Sequence, residues 1–99
     1  MEIIKKQNGT ELTLALSGRL DTNTSRQLEA ELRTSVSGIT SLIFDFADLD
    51  YVSSAGLRVL VNAQMVMNNQ GTMVIRNSNS SVLDVFNITG LIDILNVEE

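Results

Sequence analysis

The chain has 99 residues, 43% of them hydrophobic and 19% charged, with a formal net charge of −5 and neither cysteine nor histidine. That length and apolar content predict one compact domain over residues 1–99, and the acidic balance offers no basic face to a nucleic-acid backbone, so no nucleic-acid partner is expected. No cysteine means no disulfide framework, which suits a reducing compartment, and without histidine or cysteine the commonest general base and the usual transition-metal ligands are missing.

No stretch approaches the ~18 consecutive apolar residues of a membrane span, and no apolar leader follows Met1. The expectation is a soluble, cytoplasmic chain with no membrane insertion, monomeric when free. Asn8-Gly9 is a hairpin signal and Glu11 to Ser17 alternates apolar and polar residues, so Glu2 to Gln7 is predicted to pair antiparallel with the strand that follows. Gly18 to Asn23 reads as a loop in which Asp21 sets a turn. Thr24-Ser25-Arg26-Gln27 fits a capping box, and Leu28, Leu32 and Val36 recur at helical spacing, predicting a first helix that ends near Ser37-Gly38.

Ser41 to Phe46 is predicted as a short apolar strand, in which Asp45 is out of place because a buried carboxylate needs hydrogen bonds. Asp48 to Asp50 reads as an acidic loop, and a helix of roughly fifteen residues begins after Ser53-Ser54. Gln70-Gly71 ends it and Thr72 to Arg76 forms the next strand. Val82, Leu83, Val85 and Phe86 mark another helix, stopped by Gly90, and Leu91 to Val97 is a short strand, a helical turn or both. Strands alternating with helices after an opening hairpin predict an α/β fold with a mixed sheet, whose sites gather at the carboxyl ends of the strands.

The two serines fall at that edge, where a helix start favours negative charge. Ser54 read as a structural residue is an N-cap, its hydroxyl accepting from an amide of the first turn, a contribution of about 1 kcal/mol. Read as a nucleophile it lacks both a Gly-x-Ser-x-Gly elbow and a histidine base, and Lys5 and Lys6 sit on the first strand with nothing to draw them near. Read as a phosphorylation site it gains about −1.5 to −2 charges that a helix start accepts but a protein interface does not.

The helix after the serines is apolar around most of its circumference, with Arg58, Asn62 and Asn69 as its polar stripe. It is either buried on most sides or open along an edge carrying Met65 and Met67. Asp21, Asp45, Asp48 and Asp50 are the carboxylates that could gather near the serines. Their spacing specifies no metal site, and no metal or cofactor is expected.

Gly18-Arg19-Leu20-Asp21, Leu42 to Phe46 with Asp48-Leu49, Tyr51-Val52-Ser53-Ser54-Ala55-Gly56-Leu57-Arg58 and Phe86 to Leu91 resemble, in this order, the landmarks of the STAS domain, whose standalone members are bacterial anti-sigma factor antagonists. The resemblance implies a mixed β-sheet of four to five strands with three to four helices packed mainly on one face, and a function without catalysis. It implies as partners an anti-sigma factor that is itself a serine kinase, and a metal-dependent serine phosphatase that reverses the modification. The phosphorylated residue would be Ser54, with Ser53 in reserve, and the partner-binding set Asp21, Thr22, Asn23, Ser53, Ser54, Ala55, Gly56 and Arg58. Family members usually carry an aspartate where this chain has Ser53. The other role open to such a module is a part in a lipid-transport or stress-signalling complex, and a reading from a different class is a small enzyme using carboxylates and a serine.

Overall fold

The computed structural model describes residues 1–98. β1 (Glu2–Asn8) and β2 (Glu11–Leu20) form the antiparallel hairpin. The chain then crosses through α1 (Thr24–Ser35) to β3 (Ser41–Val52) and through α2 (Ser54–Asn68) to β4 (Thr72–Arg76), each crossover adding a parallel strand. The sheet order is β1-β2-β3-β4, so neighbours in sequence are neighbours in the sheet. α3 (Ser80–Ile88) and a 3-10 turn at Leu91–Asp93 follow, and Val97 then bridges to Ile75 on the outer edge of β4. The C-terminal segment thus contains both a helical turn and a strand contact.

Strand alternation explains where the helices pack. Leu12, Leu42 and Met73 are register partners, as are Leu14, Phe44 and Ile75, and all six are buried on one face. There they join Leu28 and Leu32 of α1, Leu60 and Met67 of α2, and Val82 and Phe86 of α3 in a single apolar cluster. The other face carries partly exposed Thr13, Ala15, Ser17 and Asp45. Among the described residues no helix is long and apolar enough to cross a membrane.

One expectation about the sheet needs correction. β3 does not stop at Phe46 before an acidic loop but stays paired with β2 as far as Val52, with register shifts between Ala15 and Ser17 and between Gly18 and Arg19. Those shifts let buried Leu49 and Val52 continue the core while Asp48 and Asp50 remain exposed, so the aspartates are strand residues at irregularities in the ladder. Of the two readings of α2, Met67 follows the buried one, being fully buried, whereas Met65 is 60% exposed. Gln64, which interrupts the apolar arc, is buried too. Its Nε2 donates to Asn68 Oδ1 at 2.9 Å and its Oε1 accepts from the Asn96 amide, so both ends of the amide are used.

Candidate functional site

Leu20 and Val52 are register partners at the carboxyl ends of β2 and β3, and the starts of α1 and α2 rise beside them. The chain leaves β3 still extended at Ser53 (φ −85°, ψ 171°), whose amide donates to the Leu20 carbonyl at 2.8 Å. Ser53, and not Ser54, is the N-cap: its Oγ accepts from the Gly56 amide at 3.1 Å. The cap requires a non-helical backbone, and that condition is met one residue earlier than local sequence implied. Ser54 is the first helical residue, exposed, and its hydroxyl has no hydrogen-bond partner among the described residues.

Gly56 is buried and holds this junction closed. A Cβ at that position would approach Leu20 Cγ to 2.7 Å and the Leu20 carbonyl oxygen to 3.0 Å, so the first turn of α2 rests directly on the end of β2. Gly56 and Ser53 therefore position Ser54, while Ser54 and Ala55 supply surface.

The turn into α1 is built by Asp21. Its Oδ1 accepts from the amides of Asn23 at 3.0 Å and Thr24 at 2.9 Å, and Thr24 Oγ1 accepts from the Asp21 amide at 2.8 Å. These reciprocal bonds fasten the turn ahead of α1, whose own N-cap, Asn23, makes no side-chain cap bond, so the Thr24-to-Gln27 box expected from sequence does not form. The bond from the Thr24 amide is the main reason the Asp21 carboxyl titrates below its ordinary range, with the Thr24 hydroxyl, the Asn23 amide and Arg19 adding to it. Nearby, the Arg19 guanidinium lies 4.2 Å from the centroid of the Tyr51 ring, a cation–π contact between register partners.

Of the expected partner-binding residues, Thr22, Ala55 and Arg58 line one cleft of about 290 Å³ between α1 and α2. Asp21 and Asn23 stand at the turn that leads into it. Sequence reasoning missed Ser25, Arg26 and Glu29 on the α1 wall, and Val59 on the α2 side. The signal was available: Thr22, Arg26 and Glu29 recur at the three-to-four spacing of one helix face.

The other carboxylates stay apart. Asp45 Oδ1 accepts from Asn77 Nδ2 and from the Ala47 amide, both at 3.0 Å, which holds its carboxyl below the ordinary range and meets the need of an acid in an apolar strand. Among the described residues no three acidic side chains gather as a metal site would require. Lys5 Nζ donates to Ser35 Oγ at 3.0 Å, at the opposite end of α1 from the turn beside the serines.

The STAS domain family model matches residues 2–99. The chain is 39% identical over 88 residues to BtrV of Bordetella bronchiseptica, assigned as an anti-sigma factor antagonist, covering 87% of this chain and 76% of BtrV. It is 28% identical over 93 residues to the anti-sigma-B factor antagonist of Bacillus subtilis, covering 93% of this chain and 85% of that protein. Its backbone matches that of the Bacillus cell fate determinant SpoIIAA in the phosphorylated form with a TM-score of 0.77 at 19% identity, over 99% of this chain and 92% of SpoIIAA. By the family model over residues 2–99, the 39% identity to BtrV and the four-stranded mixed sheet with three helices, the chain belongs to the STAS domain family.

Proposed function

We propose that this chain is an anti-sigma factor antagonist that binds a serine-kinase-type anti-sigma factor and is switched off when that kinase phosphorylates Ser54. The observation that carries the reading is the division of labour between the two serines: Ser53 takes the cap, which leaves the Ser54 hydroxyl exposed and unbonded at the first helical position. A relative at 39% identity assigned as an antagonist, and a neighbour of the same fold whose structure is of a phosphorylated form, support it.

The physics of the switch is local charge. The amides at the start of α2 tolerate a phosphoryl group on Ser54, so the fold survives modification. Against a protein surface the same charge must be desolvated, at a cost that reaches about 3–5 kcal/mol where the pairing is incomplete, which corresponds to several hundredfold or more in affinity. Exposed Asp48 and Asp50 on the adjoining strand add to the negative field. In this reading a metal-dependent serine phosphatase restores binding, and the module performs no reaction of its own.

The test is incubation with ATP and a purified anti-sigma kinase from the same genome, with intact-mass measurement. One phosphate on the wild type and on Ser53→Ala, and none on Ser54→Ala, is the expected result. Absence of an adduct, or equal kinase affinity for wild type and Ser54→Asp, overturns the proposal.

A further inference from the structure

The cleft beside Ala55 is only the upper end of a longer groove. Glu29 and Val59 line both that cleft and a second one of about 280 Å³, which continues between α1 and α2 to Val36 and Val66. Both helices return between parallel strands, so they run in the same direction and the groove follows both. From Ala55 to Val66 it spans roughly 17 Å, or about three helical turns.

Its floor is apolar and its rim is basic. Leu32, Val59 and Ala63 are buried beneath it, and Val66 stands 44% exposed at its mouth. Arg26, Arg33 and Arg58 line its walls, and the carboxylate among them, Glu29, is bound to Arg33 at 3.0 Å. Arg26 and Arg58 have no acidic partner among the described residues. On a chain of net charge −5 with seven basic residues, three at one groove invert the local charge. An apolar channel flanked by unpaired guanidinium groups selects an occupant that is apolar along one stripe and acidic beside it.

We infer that the groove receives an amphipathic helix of the anti-sigma kinase, about three turns long, whose apolar stripe lies on Val59, Ala63 and Val66 and whose flanking carboxylates meet Arg26 and Arg58. This deepens the proposed function and rests on it. It also gives the switch a second lever: Arg58 lies one turn along α2 from Ser54, so a phosphoryl group there competes with the partner's carboxylate for the same guanidinium.

The test measures the kinase affinity of wild type, Val66→Glu, Arg26→Glu and, as a charge-matched control on β1, Lys6→Glu, with circular dichroism to verify folding. Val66→Glu and Arg26→Glu are expected to weaken binding by about tenfold or more, the Arg26→Glu loss shrinking at high salt, with Lys6→Glu unchanged. If both groove variants bind within about twofold of wild type while wild type binds and is phosphorylated on Ser54, the groove inference falls and the switch stands. If wild type neither binds the kinase nor accepts phosphate, both fall. A wild-type dimer that Val66→Glu dissociates assigns the groove to a second copy and overturns the inference.

Discussion

The amide of Ser53 donates to the carbonyl of Leu20 across 2.8 Å, so the residue that caps α2 also fastens it to the end of β2. The STAS resemblance implies an aspartate at this position, and serine and aspartate share the property that matters here: a short side chain with an oxygen that reaches the third helical amide. The departure from the family pattern therefore keeps the cap, and with it the exposure of Ser54.

This division predicts unequal costs for two neighbouring substitutions. Ser53→Ala should lower unfolding free energy by about 1 kcal/mol, whereas Ser54→Ala should change it by less than about 0.5 kcal/mol. Ser53→Asp should be at least as stable as wild type, because it keeps the acceptor and adds a charge that the helix start favours. Urea denaturation of the three variants checks the order. Equal losses for the two alanine variants would place the cap elsewhere.

Glycine contacts give a second prediction, in which two effects of opposite sign compete. Alanine is normally preferred over glycine inside a helix by about 1 kcal/mol. At Gly56 the added methyl would press on Leu20 Cγ and its carbonyl, and at Gly71 it would overlap the backbone of Thr40, to whose carbonyl the Thr72 amide donates at 2.9 Å. Overpacking costs about 1–3 kcal/mol and more where the obstacle is backbone, so both alanine variants should be destabilised, Gly71→Ala the more severely. Thermal melts compare them directly, and a rise in Tm for Gly56→Ala would contradict the packing at Leu20.

The elements legible in the sequence are those set by local pattern: the hairpin at Asn8-Gly9, the period-two run of β2, the helix after the serines and its end at Gln70-Gly71. The continuation of β3 through Asp48 and Asp50 was not legible, because aspartate is a turn residue by local preference and the pairing that overrides it comes from β2, some thirty residues away. The cap shifted from Ser54 to Ser53 because where a strand ends is decided by the ladder, and Ser53 is the last extended residue before α2. Of the site, the β3–α2 junction could be read from sequence, and the spacing of Thr22, Arg26 and Glu29 marked one face of α1, but that this face forms a groove with α2 could not, since the groove exists only once the two helices pack side by side.

The charge on Asp21 makes stability depend on pH. Hydrogen bonds from Thr24 and Asn23 hold its carboxyl below the ordinary 3.8, so folding favours the ionised form. That contribution is present in full above the ordinary value and is lost as pH falls through the lowered folded value. Asp21→Ala should accordingly be less stable than wild type at pH 7, with the gap narrowing from about pH 4 downward. Urea midpoints between pH 7 and pH 2.5 measure it, and a gap that does not change over that range would show that the ionised carboxylate contributes nothing.

The switch itself predicts that binding and folding respond in opposite directions to one substitution. Ser54→Asp places a negative charge on the first residue of α2, where the helix dipole contributes about 0.3–1 kcal/mol and Arg58, four residues on, adds about 0.2–0.5 kcal/mol. Repulsion from exposed Asp48 and Asp50 offsets part of this, leaving a Tm equal to wild type or up to a few degrees above it, with any gain diminishing at high salt. Kinase affinity should nevertheless fall, because the interface cannot solvate the same charge. Thermal melts at low and high salt, paired with calorimetric titration of the kinase, separate the two effects. A variant that loses binding only in proportion to lost stability would show that residue 54 acts through the fold and not as a charge at the interface.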